Sequence, residues 1–298
     1  MFLERVWNFC SSSVYQFIYL LIMIKYNKFK IKTKFRILLI FAFLFPSTLN
    51  ALVFDGKFIQ GHFIVGKTQP ETEIWIDKKK VKVSKDGFFA FGIGRDRKYD
   101  IVITSIKNGK KNRITKKIQK RKYKIQRIDG LPEKKVTPPK EVYERIKKEN
   151  KIISDARSVN SNLTFFKNKF KPPLENAIIT GVYGSQRILN GKPKWPHYGI
   201  DFAAKEGTQI KAMLDGTATM VEKDLFYTGG TLIFDHGHGI STLYMHMQKI
   251  YVKKGQKVKQ GEVIGTVGST GRSTGAHLDV RLNWFGTRLD PMTVLNIK

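Results

Sequence analysis

The chain has 298 residues, 41% of them hydrophobic, and 54 lysines and arginines against 24 acidic residues, for a formal net charge of +30. That length allows about two domains, and so basic a surface favours anionic partners such as acidic lipid headgroups or cell-wall polymers. Nucleic acid is not the expected partner, because the lysines are spread diffusely and no nucleic-acid-binding module is recognisable.

Residues 1 to 51 read as a targeting segment. Lys28, Lys30, Lys32, Lys34 and Arg36 precede the apolar run Ile37 to Phe45, and Ala51 offers a small residue for cleavage. This is the layout of a secretory signal peptide, too short for a standard membrane span. A second apolar run, Val14 to Ile24, lies upstream. It implies either a true start at Met23 or an N-terminal anchor. The expected location is outside the cytoplasm. Cys10, the one cysteine, falls in this segment, which removes thiolate ligands and nucleophiles from the rest of the chain.

Residues 52 to 127 carry short β-prone runs: Thr72 to Ile76, Lys80 to Val83, Phe88 to Phe91 and Asp100 to Thr104. Lys85-Asp-Gly87 and Lys107-Asn-Gly109 read as hairpin turns. The expectation is a small immunoglobulin-like β-sandwich. It holds no cluster of catalytic residue types, and His62 stands alone as a structural histidine. Residues 128 to 170 read as a linker, from the Gly and Pro content of Ile128 to Pro139, followed by one charged helix. Val142, Ile146 and Ile153 recur near helical spacing up to about Arg157, with the charged faces solvated. From residue 171 to 298 a mostly antiparallel β domain is predicted. Ile178 to Gly184, Ile210 to Glu222, Thr231 to Asp235 and Val263 to Val267 form its strands, with no helices between them to suggest a doubly wound fold.

In this last domain, His277 and Asp279 share a face of an extended chain, as do His197 and Asp201. Pro196 and Gly199 argue against a helix there. Two distant segments thus each offer an imidazole and a carboxylate, both zinc-ligand types. His246 follows in Leu243-Tyr-Met-His-Met247, an apolar run that reads as a strand. His236 and His238 flank Gly237 in a tight loop and read as structural or groove residues. Tyr244 suits packing as well as function.

PHYGIDF, DHGHGISTLYMHM and VKKGQKVKQGEVIGTVGSTGRSTGAHLD, in this order and spacing, resemble the lysostaphin/LytM-type zinc endopeptidases, which cut peptide cross-links of bacterial peptidoglycan. The resemblance covers roughly residues 176 to 292. It implies one zinc ion per chain on His197, Asp201 and Asp279, and catalytic roles for His246 and His277. Asp279 stands where the family has a histidine, and Ala276 where a proline is common. Asp279 is therefore either a ligand or the partner of Arg281, two residues on. Two function classes follow from the resemblance: a zinc metalloendopeptidase of the cell wall, or a non-catalytic LytM-like activator of cell-wall amidases. Peptidoglycan, an amidase or envelope partner, and electrostatic membrane contact are the expected partners.

Overall fold

The computed structural model describes residues 52–130, 139–176 and 178–295. The targeting segment expected over residues 1 to 51, with Cys10, and the centre of the linker lie outside them. Among the described residues no helix is long and apolar enough to cross a membrane.

The N-terminal module contains β1 (Val53–Asp55), β2 (Phe63–Lys67), β3 (Glu73–Ile76), β4 (Lys79–Val81), β5 (Phe88–Gly92), β6 (Ile101–Lys107) and β7 (Lys110–Lys116). They form two antiparallel sheets, β1-β2-β5 and β4-β3-β6-β7. This three-and-four division is that of an immunoglobulin-like sandwich. Asn108 and Gly109, with φ of 48° and 71°, close the β6–β7 hairpin as the Asn-Gly pair predicts. The other expected hairpin is different. Gly87 does turn the chain, at φ 85°, but β4 and β5 on either side belong to different sheets. Ser84 closes the turn locally, its hydroxyl accepting from Phe88 N at 2.8 Å.

Next come β8 (Ile125–Ile128) and α1 (Tyr143–Arg157), then β9 (Ile178–Gly181), β10 (Gln186–Leu189), β11 (Lys192–Pro193), β12 (Ile200–Ala203) and β13 (Gln209–Lys211). The chain ends with β14 (Gly216–Leu225), β15 (Gly229–Gly237), β16 (Ile240–Ile250), β17 (Lys257–Val258), β18 (Val263–Val267), β19 (His277–Trp284) and β20 (Thr287–Leu289). The large sheet runs β17-β14-β15-β16-β19-β12-β9, with β18 on β16 and β13, and β20 on β19. All its pairs are antiparallel.

Three local expectations change. Ile210 to Glu222 is two strands, because Met213 N donates to the Tyr244 hydroxyl and Asp215 accepts from Gln260 N, taking the backbone between them out of the ladder. Ile125 to Ile128, read as the end of the module and the start of the linker, forms β8 and pairs in parallel with β10. The charged faces of α1 are not simply solvated. Arg145 donates to Asp224 O and Glu149 accepts from Phe226 N, so both fasten the helix to the β14–β15 turn. Beneath these contacts Ile153 and Ala156 pack on Met220, Leu225, Ile233, Leu243 and Met245. A single apolar cluster runs from Phe89 and Phe91 of the module through Phe166 and Phe170 to Phe202 and Leu289. The two β regions therefore share one core.

Candidate metal centre and groove histidines

Strand periodicity decides which face carries chemistry. Leu278, Val280 and Leu282 of β19 point into the main core. The alternate residues His277, Asp279 and Arg281 must face the other way. Asp279 pairs across the sheet with Met245, and Arg281 with Leu243. Cross-strand partners share a face, so the polar row lies beside the apolar patch that α1 covers.

On the other flank of β19, β12 places Asp201 directly opposite Asp279. His197 precedes β12 and is held by paired backbone bonds, Gly184 N to His197 O and His197 N to Ser185 O, each 2.7 Å. Its Nε2 lies 3.1 Å from Asp201 Oδ1 and 3.4 Å from Asp279 Oδ2. The three donor atoms lie within 4.8 Å of one another. In a tetrahedral zinc site with bonds of about 2.1 Å, donors sit roughly 3.4 Å apart. One imidazole and two carboxylates at these separations fit such an ion. His197 Nδ1 lies 3.3 Å from Val182 O, which can only accept. Nδ1 therefore carries the hydrogen, and Nε2 is left to face the carboxylates.

Two glycines make this approach possible. A Cβ on Gly181 would stand 2.1 Å from Asp201 Oδ2, and one on Gly199 would stand 2.3 Å from Asp279 Oδ1. Any larger residue at either place would displace a carboxylate. The sequence marked Gly199 only as a helix breaker; the need for a glycine at either place comes from the carboxylates on the neighbouring strands.

The electrostatics are those of two acids confined together. Burial opposes a charge on His197, but the hydrogen bonds its charged ring donates to Asp201 and Asp279 prevail and push its pKa up to about 10. Burial likewise opposes ionisation of Asp279, yet Arg281 and His197 outweigh it and hold the carboxyl well below the usual carboxylate range. Arg281 grips Asp279 with two bonds, Nη2 to Oδ2 at 2.9 Å and Nε to Oδ1 at 3.2 Å. Asp279 is thus the partner of Arg281, and the same carboxylate also faces His197 and Asp201.

His277 and His246 stand next to the trio. His277 Nε2 is 4.0 Å from Asp201 Oδ1, and the two rings are 4.6 Å apart. Each directs Nδ1 at a backbone carbonyl, His246 to Thr270 O and His277 to Gly275 O, both at 2.8 Å. A carbonyl accepts only, so both Nδ1 atoms carry a hydrogen, and Nε2 is the atom of each ring left for chemistry. Burial lowers the pKa of His246, which favours the neutral ring.

His246 reaches this face by a device the sequence reading did not foresee. Tyr244 and Met247 pack in the main core, while Met245 packs on the opposite face. That parity requires one inserted residue. His246 is that residue, with φ of 62°, at the register shift between β15 and β16. It is a β-bulge whose left-handed conformation turns the imidazole out of the core. Its N–H is satisfied by Thr228 O at 2.9 Å.

The remaining histidines stay out of the cluster. His236 is fully buried between Asp215 O and Thr242 Oγ1, and His238 packs against the Phe166 ring. Tyr244 is a core residue whose hydroxyl accepts from Met213 N.

The family model described as Peptidase family M23 matches residues 195–291. An uncharacterized metalloprotease of Haemophilus influenzae is 43% identical over 102 residues, 33% of this chain and 21% of that protein. The peptidoglycan DD-endopeptidase ShyA of Vibrio cholerae is 45% identical over 87 residues, 29% of this chain and 20% of that protein. These matches span about a fifth of each relative's length. The crystal structure of a Pseudomonas aeruginosa protein assigned to peptidase M23 superposes with TM-score 0.61 at 24% identity, covering 80% of this chain and 94% of that one, which shows a shared fold.

Proposed function

Because residues 195–291 form a peptidase family M23 domain, we propose that the chain is a zinc-dependent endopeptidase that hydrolyses peptide cross-links of peptidoglycan. The observation that carries this reading is the convergence of His197, Asp201 and Asp279, with the His246 and His277 imidazoles beside them. Bound there, the ion would act as a Lewis acid toward the scissile carbonyl and an attacking water. His246 and His277, each with Nδ1 held by a backbone carbonyl, divide the remaining work through Nε2. One takes the proton of the water at Nε2, and the other, protonated, donates to the developing oxyanion or the leaving amine. The names of the curated relatives support a bond between D-amino acids as the target. In this reading the protein works outside the cytoplasm, with its basic surface held to anionic envelope polymers or lipids.

The test is turnover of a purified cross-linked muropeptide with and without chelator. Cleavage that survives complete metal removal would overturn the mechanism. One observation favours a second reading, a non-catalytic activator of an amidase: Arg281 already neutralises Asp279, which weakens that carboxylate as a ligand. Elemental analysis separates the two, since an enzyme holds about one zinc per chain and the activator need hold none.

A further inference from the structure

Between the N-terminal module and the peptidase domain lies a crevice of about 400 Å³ bordered by Arg95, Arg97, Tyr198, Thr287 and Arg288. Its arginines are not equivalent. Arg95 spends its donors on Gly184 O and on Asp96, and Arg97 spends its own on Asp77, Tyr99 O and Asp100 O. Arg288 donates once, from Nη1 to Asn283 Oδ1 at 3.1 Å, and among the described residues it forms no ion pair. Burial alone, uncompensated by any acid, pushes its pKa down to about 10. A guanidinium so placed bears a desolvation cost that an incoming anion would relieve.

The backbone holds Arg288 in position: its carbonyl accepts from the Tyr183 hydroxyl at 2.9 Å, and β20 pairs it with Asn283 of β19. The one acid on the rim, Asp96, is already tied to Arg95. The crevice is therefore positive and offers a planar guanidinium, the group whose geometry matches a carboxylate, with one donor, Nη1, spent on Asn283. Tyr198 joins it to the metal centre, since its ring lies 6.0 Å from the Arg288 guanidinium and it directly follows His197 in the chain.

We propose that this crevice is an oxyanion-binding site centred on Arg288, and that it takes a free carboxylate of a peptidoglycan stem peptide whose cross-link lies over His197. The second clause rests on the function proposed above; the first does not.

The test is calorimetric binding to the full-length, metal-containing chain, using an uncross-linked stem tetrapeptide, its C-terminal amide, and inorganic phosphate. The acid should bind about tenfold or more tightly than the amide, and Arg288→Met should erase that difference. Phosphate should compete with the acid in the wild type and not in Arg288→Met. A second variant guards against misfolding. Gly286 borders the same crevice, and a Cβ there would meet nothing within 4 Å. Gly286→Asp should supply Arg288 with an internal partner, abolish anion affinity and raise the melting temperature. Phosphate binding that depends on Arg288, without discrimination between acid and amide, would keep the oxyanion site and overturn the stem-peptide assignment. If neither phosphate nor the acid depends on Arg288, the whole proposal falls. Because no turnover is read, an inactive peptidase with Arg288-dependent binding leaves this site standing, and an active one without it removes this site alone.

Discussion

Removing the Asp279 side chain tests the metal centre and its electrostatic frame together. The carboxylate is 4% exposed and Arg281 is 22% exposed, so their pair is largely withdrawn from water. Asp279→Ala strands the guanidinium, and breaking a buried pair costs about 3–5 kcal/mol, far above the ~1 kcal/mol or less of a surface pair. The residual exposure of Arg281 places the expected cost near the lower figure, about 3 kcal/mol. For a folded unit of this size that corresponds to a fall in melting temperature of roughly 6–12 °C. The metal is lost at the same time, since His197 and Asp201 are left as two donors where a zinc site needs three. The assay is elemental zinc analysis and scanning calorimetry on wild type, Asp279→Ala, Asp279→His and Asp279→His/Arg281→Gln. Asp279→His should be destabilised despite carrying the ligand type usual in the family, because it sets an imidazole against the unpaired Arg281. The double variant should recover both stability and zinc. Wild-type zinc content in Asp279→Ala, or a melting shift under about 2 °C, would refute the reasoning.

Gly181→Ala should push Asp201 off its position and weaken zinc affinity by about 10–100-fold in a chelator competition, while an unchanged affinity would mean the carboxylate has slack that the packing does not show. Zinc affinity should rise about tenfold per pH unit between pH 6 and 8, because His197, with its pKa raised to about 10 by the two acids against burial, must release a proton to each ion; a flat profile would contradict this. Burial lowers the pKa of His236 to about 4. Its folded value lies below the unfolded one, so its contribution is complete above pH 6.5 and is lost as pH falls from there through 4. That amounts to roughly 3 kcal/mol. Urea unfolding at pH 7, 6, 5 and 4 should show the decline, and His236→Gln should flatten much of it.

Much of the architecture was legible because its causes are local. Alternating apolar residues marked the strands, Asn108-Gly109 marked a hairpin, and the absence of helical periodicity between the C-terminal strands marked an antiparallel domain. The interruption of the strand within Ile210 to Glu222 was not legible, since what interrupts the ladder is the hydroxyl of Tyr244, 31 residues beyond Met213. For the same reason β8 was hidden: its partner, β10, lies across the linker.

The site divides along the same line. A spacing of two residues suffices to put His277, Asp279 and Arg281 on one face of a strand, because side-chain direction in an extended chain is a property of the backbone. Whether Asp279 would serve a metal or Arg281 depended on what faced it, and the fold set it opposite Asp201 and within reach of His197 while leaving Arg281 in contact. His246 shows the limit most plainly. Period two places it with Tyr244, inside the core, and only the extra residue in β16 turns it toward His277. A bulge is decided by the register between two strands, not by the residues of one, so it belongs to the tertiary structure alone.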